Sequence, residues 1–342
     1  MPATLVRVTV PERRTRPGRL ITVSALRLKT SAATPGNPVV FLMGGPGIPG
    51  TVMARVPPYF TLFQRLRERT DVIIIDQRGL GGSEPVMDCP YSEELPRDFF
   101  VARQHMVAAI RRRVASCAAY WRELGADPTA YTTLESATDV DDLRRALGIE
   151  RIDLLAFSYG TRLALAIVEQ HGGHVGRVVL QGVNGPGLVV KRPVAVGRKL
   201  SMLGELLERD SSWKGATDLS RAARAARERL AGTPATVTIS DRRTGQDIEL
   251  SIGRDGLDAV VGTNLDDARL PALLVSLAAG DDRVLGRFVE SVWNGLGSGS
   301  VGLMARAVNC AADRPAARWR IVEAEGVTAP FGAPNRQRVP HP

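Results

Sequence analysis

Residues 151–165 read Arg-Ile-Asp-Leu-Leu-Ala-Phe-Ser-Tyr-Gly-Thr-Arg-Leu-Ala-Leu, and this stretch decides the fold. The short apolar run at residues 152–156 predicts a buried strand. A tight turn with Ser158 at its apex follows, and an apolar helical pattern begins directly after the turn. The segment therefore predicts a strand, a sharp turn and a helix, with a serine hydroxyl at the turn.

This arrangement is the sequence form of a nucleophile elbow, in which a strained turn lifts a serine hydroxyl clear of the sheet. Small residues two positions before and after the serine let strand and helix pass closely. The usual pattern is Gly-x-Ser-x-Gly; here the first small residue is Ala156 and the second is Gly160. The pattern predicts that Ser158 is a nucleophile.

Two further apolar runs each end in a motif of their own. Residues 39–42 precede a glycine loop, Gly44-Gly45-Pro46-Gly47, and residues 72–75 precede Asp76-Gln77-Arg78-Gly79. Both runs are short, apolar and bounded by turn residues, which is typical of buried strands. The chain order is thus a strand with a glycine loop, a strand with Asp-Gln-Arg-Gly, and a strand with the serine turn.

Together these motifs resemble the α/β-hydrolases, specifically the prolyl iminopeptidase and tripeptidyl aminopeptidase group of serine peptidases. The resemblance extends over about residues 5–315. It implies an α/β-hydrolase fold, with a mostly parallel sheet, helices on both faces and an inserted helical cap. We expect a core at residues 1–187, a cap at residues 188–302, and a return segment with an atypical C-terminal tail at residues 303–342.

The resemblance also assigns roles around the serine. The backbone amides of Tyr159 and Gly45 are the expected donors to an oxyanion, since one follows the nucleophile and the other lies in the glycine loop. Gly44 and Gly47 are expected to border the bound substrate. Asp76 and Arg78 are expected to organise the neighbouring loop rather than to take part in the chemistry.

The acid and base of a triad are harder to place. In this fold they follow the serine in the order Asp or Glu, then His, and His341 is the one histidine in that position. Asp281 is the candidate acid, because residues 271–275 before it resemble a terminal strand with an acid turn. The alternative is that the strands carrying the acid and base in relatives are missing, through truncation or a shifted reading frame, since residues 314–342 match nothing in the family.

Three functions stay open on this evidence. The first is a serine hydrolase that cleaves a peptide N-terminus, with Glu205 and Glu208 of the cap holding the free amine. The second is an esterase acting on a macrolide or another small ester, which needs no amine site. The third is a truncated or catalytically impaired relative without a complete triad.

The composition limits the kinds of binding partner that we expect for this chain. The chain has 342 residues, 44% of them hydrophobic and 24% charged, which fits a globular protein with one large α/β domain and an insertion, or with two small domains. The net charge of +9 comes from scattered arginines with 5% aromatic residues, so we expect no nucleic-acid binding. No apolar run approaches the ~18–20 residues of a membrane span. We expect a small peptide or ester substrate, no metal and no organic cofactor, and leave the oligomeric state open.

The N-terminus and the cysteines bear on the compartment. Residues 1–19 are charged and lack an apolar core, so no signal peptide is predicted and a cytoplasmic location is expected. Three reduced thiols at Cys89, Cys117 and Cys310 are then favoured. The resemblance to secreted relatives instead implies a disulfide between Cys89 and Cys117.

The sequence pattern also predicts several individual hairpins and helices. An opening hairpin is expected at residues 5–10 and 20–28, and a smaller hairpin inside the cap at residues 235–250. A helix at residues 59–69 is expected to bury Phe60, Phe63 and Leu66. Another, at residues 136–147, is expected to carry its acidic residues near its start.

Overall fold

The computed structural model describes residues 3–16, 18–89, 94–188, 192–297, 303–312 and 316–331. The chain divides into two compact units. The first comprises residues 1–91, 116–189 and 301–313, and the second comprises residues 92–115, 190–300 and 314–342. Residues 92–115 therefore belong to the second unit, although the predicted boundaries assign them to the core.

In the described part of the first unit, six strands form one sheet in the order β1-β2-β4-β3-β5-β6. The strands are β1 (Ala3–Pro11), β2 (Leu20–Leu28), β3 (Val39–Leu42), β4 (Val72–Asp76), β5 (Ile152–Phe157) and β6 (Val175–Gln181). β1 pairs with β2, and β2 with β4, in antiparallel fashion, whereas β4, β3, β5 and β6 are parallel. The opening hairpin and the mostly parallel sheet confirm the predicted fold class.

The helices, in chain order, are α1 (Pro57–Arg67), α2 (Arg103–Glu123), α3 (Thr133–Ala146), α4 (Tyr159–His171), α5 (Pro193–Glu208), α6 (Leu219–Gly232), α7 (Arg254–Thr263), α8 (Leu270–Ala278), α9 (Leu285–Gly297), α10 (Leu303–Ala311) and α11 (Ala316–Thr328).

Helices pack against both faces of the sheet, because the central strands carry apolar side chains on both faces. Ile73 and Ile75 of β4 join a core that includes residues of α3 and α4, whereas Val72 and Ile74 join a second core around Phe63 of α1. This alternation follows from the two-residue period of a strand, and full burial is typical of parallel sheets. The helices of the first unit therefore lie on opposite faces of one sheet.

β6 pairs, among the described strands, with β5 alone and forms an edge of the sheet. Successive valines on its two faces, Val178 and Val179, are 37% and 57% exposed. At the start of the strand the pairing steps from Ile152–Val175 to Leu154–Val178, so β6 contains one extra residue there.

The Asp153 side chain supports this bulge. Its Oδ1 accepts hydrogen bonds from the Arg177 amide at 2.8 Å and from Asn37 Nδ2 at 3.1 Å. Gly176 is required beside it, because a Cβ at that position would lie 2.4 Å from Asp153 Oδ1.

A buried ionic cluster ties the β1–β2 turn to α3. Arg78 is fully buried, and its Nε and Nη2 each donate to Asp139 at 2.7 Å. Arg14 of the turn donates to Asp139 at 2.7 Å and also to Glu135 and Asp142. Burial alone would lower the pKa of Arg14, but the charge of Asp139 and the carboxylate hydrogen bonds raise it above the usual value. The contacts of Arg78 and Asp139 fit the structural role expected for the Asp-Gln-Arg-Gly motif.

Replacing Asp139→Asn should be strongly destabilising, because the buried Arg78 guanidinium loses the carboxylate that accepts two of its hydrogen bonds at 2.7 Å and keeps the longer 3.5 Å ion pair with Glu135. Breaking a buried pair from one side costs about 3–5 kcal/mol, which urea denaturation should show as a loss in the free energy of unfolding. Glu84→Gln is the control, since Glu84 pairs with Arg7 at the exposed surface and such pairs are worth about 0–1 kcal/mol. Equal losses in the two variants would contradict this view of the cluster.

Two expectations for the helices of the first unit need correction. α3 begins at Thr133 with the Thr132 hydroxyl accepting from the Glu135 amide, so Asp139 lies in mid-helix and pairs with arginines rather than with the helix dipole. In α1, Phe63 is buried against the sheet, but Phe60 is exposed. The helical period was right, and the predicted buried face was too wide.

The described part of the second unit is mainly helical. It contains the expected small hairpin, in which β7 (Ala235–Asp241) pairs antiparallel with β8 (Gln246–Ile252). Residues 271–275, expected to resemble a terminal strand, lie instead within α8, so that expectation is wrong. A short apolar run does not by itself distinguish a strand from a buried helix, and α8 buries Leu270, Leu273, Leu274 and Leu277.

Cys89 and Cys117 form a disulfide, with their Cα atoms 5.5 Å apart. The expectation of three reduced thiols is therefore wrong for this pair, and the pairing implied by the resemblance is confirmed. Pairing depends on proximity in the fold, which the sequence of residues 1–19 does not report. Cys310 is an exposed free thiol.

Candidate functional site

Ser158 lies between β5 and α4 in an unusual backbone conformation. Its φ of 52° and ψ of −120° make it, among the described residues, the one non-glycine residue with a positive φ. Such conformations cost of order 1–3 kcal/mol and persist where the surroundings enforce them. The side chain is exposed, and the amide donates to Gln181 O at 2.8 Å. The strained turn thus presents the hydroxyl outward while the backbone stays tied to the sheet.

Thr161 secures the other side of the turn. Its amide and its Oγ1 donate to the Ser158 carbonyl at 2.9 and 2.6 Å, and its Oγ1 accepts from the Asn184 amide at 2.8 Å. The loop after β6 is therefore linked to the serine backbone through one hydroxyl. The sequence motif contained Thr161, but its role in joining two segments was missed.

Glycine is required where strand and helix pass each other. A Cβ at Gly160 would lie 2.1 Å from the Leu42 carbonyl oxygen of β3. A Cβ at Gly44 would lie 2.7 Å from the Ser158 Cβ and 3.3 Å from its Oγ. The glycine loop and the serine are therefore in direct contact.

Gly160→Ala should destabilise the protein by roughly 1–3 kcal/mol, the usual cost of overpacking, because the added methyl meets backbone that cannot move aside. Gly172→Ala, at the C-terminal end of α4, is the matched control: nothing lies within 4 Å of its Cβ and its φ is −54°. At such a site alanine is neutral or stabilises by about 0.4–1 kcal/mol. Thermal melts of the two variants should separate, and similar melting temperatures would contradict the packing argument.

The glycine loop adopts backbone conformations that favour glycine. Gly45 has a φ of 117° and Gly47 a φ of 108°, both in the region that side chains rarely adopt. A Cβ at Gly47 would also lie 3.1 Å from the Ala305 Cβ of α10. α10 therefore borders the loop, a contact that sequence reasoning missed.

Tyr159 follows the serine and is fully buried. Its ring packs with residues that include Leu80, Tyr131 and Met304, and its hydroxyl shares a 3.1 Å hydrogen bond with Thr133 Oγ1. Burial raises the pKa of Tyr159 to about 12, so the phenol stays protonated at neutral pH. As the first residue of α4, its amide has no carbonyl four residues earlier in the helix to receive its hydrogen bond.

Asp76 connects the segment around Thr51 to the loop that follows β4. Its carboxylate accepts from the Thr51 amide at 2.9 Å, the Thr51 hydroxyl at 2.7 Å and the Gly82 amide at 2.9 Å. Its backbone carbonyl accepts from Ser83 Oγ at 2.7 Å. These contacts give Asp76 a structural role.

Arg162, one turn after Ser158 in α4, is also buried. Its guanidinium lies over the Tyr159 ring at 5.5 Å from the centroid. Its Nε and Nη1 are enclosed and have no hydrogen-bond partner within the described ranges. The helical pattern alone gave no sign that an arginine at this position would be buried.

Residues 37–289 match the family described as the alpha/beta hydrolase fold. This match covers more than half of the chain. The chain belongs to the alpha/beta hydrolase family.

The alpha/beta hydrolase is similar to known peptidases. Serine protease Hip1 of Mycobacterium tuberculosis (strain H37Rv) is 30% identical over 175 residues, which cover 48% of this chain and 33% of that protein. Tripeptidyl aminopeptidase of Streptomyces coelicolor is 27% identical over 157 residues, which cover 43% of this chain and 28% of that protein. The chain matches about a third of the length of these relatives. The relatives confirm the resemblance to the peptidase group of the family.

Among solved structures, the esterase EaEST from Exiguobacterium antarcticum has a TM-score of 0.32 and 18% identity to this hydrolase. The comparison covers 60% of this chain and 57% of that chain. The family assignment above rests on the sequence match.

The histidines in the described part of the hydrolase contact groups other than Ser158. His105 pairs with Asp98 at 3.0 Å, and His174 Nδ1 lies 3.2 Å from a backbone carbonyl oxygen. His171 ends α4, about 18 Å along the helix from its first residue at 1.5 Å per residue. His341, the predicted base, lies outside the described residues.

The predicted acids lie in the second unit. Asp281 follows α8, and its hydrogen bond and ion pair with Arg283 lower its pKa to about 2. Neighbouring Asp282 pairs with Arg229. The assignment of Asp281 as a triad acid stays a prediction.

Glu205 and Glu208 are exposed on α5, where Thr217 Oγ1 donates to Glu208 at 3.4 Å. Their predicted role toward a substrate amine also stays a prediction. Over the described ranges, no group of three or more His, Cys, Asp or Glu side chains is placed to hold a metal ion. Over the same ranges, no helix is both long and apolar enough to cross a bilayer.

Proposed function

We propose that this alpha/beta hydrolase is a serine hydrolase with Ser158 as its nucleophile. The observation that carries the proposal is the conformation of Ser158: a strained, exposed serine at the N-terminus of α4, in contact with the glycine loop. Strain of this kind concentrates at functional sites. A nucleophile elbow has this geometry, with strand, serine and helix in this order.

The proposed reaction is acyl transfer. Ser158 Oγ attacks a substrate carbonyl, its proton passes to a base and then to the leaving amine or alcohol, and water later releases the acyl group. The Tyr159 and Gly45 amides stabilise the oxyanion, helped by the positive end of the α4 dipole. His341 is the candidate base and Asp281 the candidate acid.

The proposed substrates are peptides with a free N-terminus or carboxylic esters, with Gly44 and Gly47 bordering the bound acyl group. The names of the relatives, a serine protease and a tripeptidyl aminopeptidase, favour the peptide. In that case Glu205 and Glu208 bind the amine. An ester, including a macrolide, would need neither carboxylate.

A fluorophosphonate probe tests the nucleophile directly. The wild-type protein should gain one adduct by intact mass, because an activated serine attacks phosphorus. Ser158→Ala should gain none, since the attacking oxygen is gone. Ser201→Ala, which removes an exposed serine of α5, is the control and should label like the wild type.

A folded wild-type protein that stays unlabelled would overturn the proposal. It would support the alternative of a catalytically impaired relative. One observation favours that alternative: none of the histidines in the described chain contacts Ser158. A serine hydroxyl is a weak nucleophile until a base removes its proton.

The amine site is tested with a chromogenic tripeptide substrate, compared with its N-acetylated form. Glu205→Gln and Glu208→Gln should each raise KM for the free amine by about tenfold, the worth of a charged hydrogen bond, with little change in kcat. Glu249→Gln, an exposed carboxylate on β8, is the control and should change neither constant. Equal turnover of the free and acetylated peptides would exclude the amine site, and turnover of neither peptide would favour an ester substrate.

A further inference from the structure

Arg162 differs from the other buried arginines of the described chain. Three arginines are nearly inaccessible: Arg78 is 0%, Arg144 is 8% and Arg162 is 6% exposed. Arg78 donates twice to Asp139 at 2.7 Å, and Arg144 Nε donates to Asp141 at 2.8 Å. Arg162 has no carboxylate partner among the described residues. The fold thus neutralises two of its buried guanidinium groups and leaves the third unneutralised.

The surroundings of Arg162 leave its donors unused. Nε and Nη1 are enclosed without an acceptor. The Tyr159 ring face, 5.5 Å away, attracts the charge, but it does not replace acceptors for N–H groups in the guanidinium plane. The Tyr159 hydroxyl already shares a hydrogen bond with Thr133.

The cation persists despite its burial. Burial lowers the pKa of Arg162, and the neighbouring Tyr159 opposes that shift. Arginine nevertheless remains protonated in proteins. A buried charge without a partner is costly, and proteins normally pair such charges. An anion at the guanidinium would supply the missing counter-charge.

We propose that Arg162 binds the carboxylate group of a small ligand, beside Tyr159 and one helical turn after Ser158. One guanidinium balances one negative charge, and its planar donors match the two coplanar oxygens of a carboxylate. The carboxylate approaches from the side of Nη2, the guanidinium nitrogen that is not enclosed, while the Tyr159 ring supports the guanidinium from its face. Binding does not require Ser158 to act as a nucleophile.

Thermal denaturation with sodium formate tests the site, with sodium chloride replaced stepwise to hold ionic strength constant. Formate should raise the melting temperature of the wild type saturably, because a ligand that binds the folded state stabilises it. Ser158→Ala should show the same rise, which separates this site from the proposed nucleophile. Arg162→Met should show no rise.

Arg162→Met and Arg144→Met should also differ in melting temperature without formate. This difference distinguishes an unpaired buried cation from one that stabilises the fold through an ion pair. Arg162→Met should melt at or above the wild-type temperature, because it removes a buried charge that has no partner. Arg144→Met is the matched control: it should melt lower, since it removes a buried ion pair with Asp141 and the hydrogen bond from Arg144 Nη1 to the Ile149 carbonyl, yet it should keep the formate response. Arg162→Lys keeps the charge without the planar fork, and its apparent affinity for formate should fall about tenfold.

Three results would overturn the proposal. The first is a wild type that shows no saturable rise with formate. The second is an equal rise in Arg162→Met, which would place the ion elsewhere. The third is a melting temperature of Arg162→Met as low as that of Arg144→Met. Arg162 would then stabilise the fold through interactions within the protein, as Arg144 does.

Discussion

The close approach of α4 to strand β3 is the constraint on which the candidate site depends. The Leu42 carbonyl occupies the space that a side chain at Gly160 would need. With the helix held this near to the strand, the chain between β5 and α4 has to turn within a single residue, and Ser158 takes up the positive φ that this turn requires. The contact with Gly44 then brings the glycine loop to the same point.

Much of this architecture was predictable because its signals are local. The apolar runs at β3, β4 and β5 end in glycine or serine turns, and each could be recognised from a few residues in order. The small hairpin of β7 and β8 was likewise recognisable from two stretches of strand-forming residues on either side of a polar turn. In each case local propensity and tertiary structure agree, and such agreement allows an element to be predicted from sequence.

The remainder could not be predicted because it depends on contacts between distant segments. The disulfide joins Cys89 to Cys117 across 28 residues, and no spacing rule specifies such a pair. α8 is apolar on several faces because it is buried, so its sequence fits a strand equally well. The proximity of α10 to Gly47, and the isolation of the Arg162 charge, are properties of side chains brought together by the whole unit.

The bulge at the start of β6 determines which side chains of that strand point to each face of the sheet. Without its extra residue, Phe157 would pair with Leu180 instead of Gln181, and every later side chain of β6 would exchange faces. The carbonyl that receives the Ser158 amide belongs to Gln181, so the bulge at the opposite end of the strand determines which residue supports the serine. A substitution at Asp153 or Gly176 that removes the bulge would thus change which residue accepts the Ser158 amide, without contacting Ser158 itself. These two positions should therefore tolerate substitution as poorly as residues of the site do, although they lie near the surface.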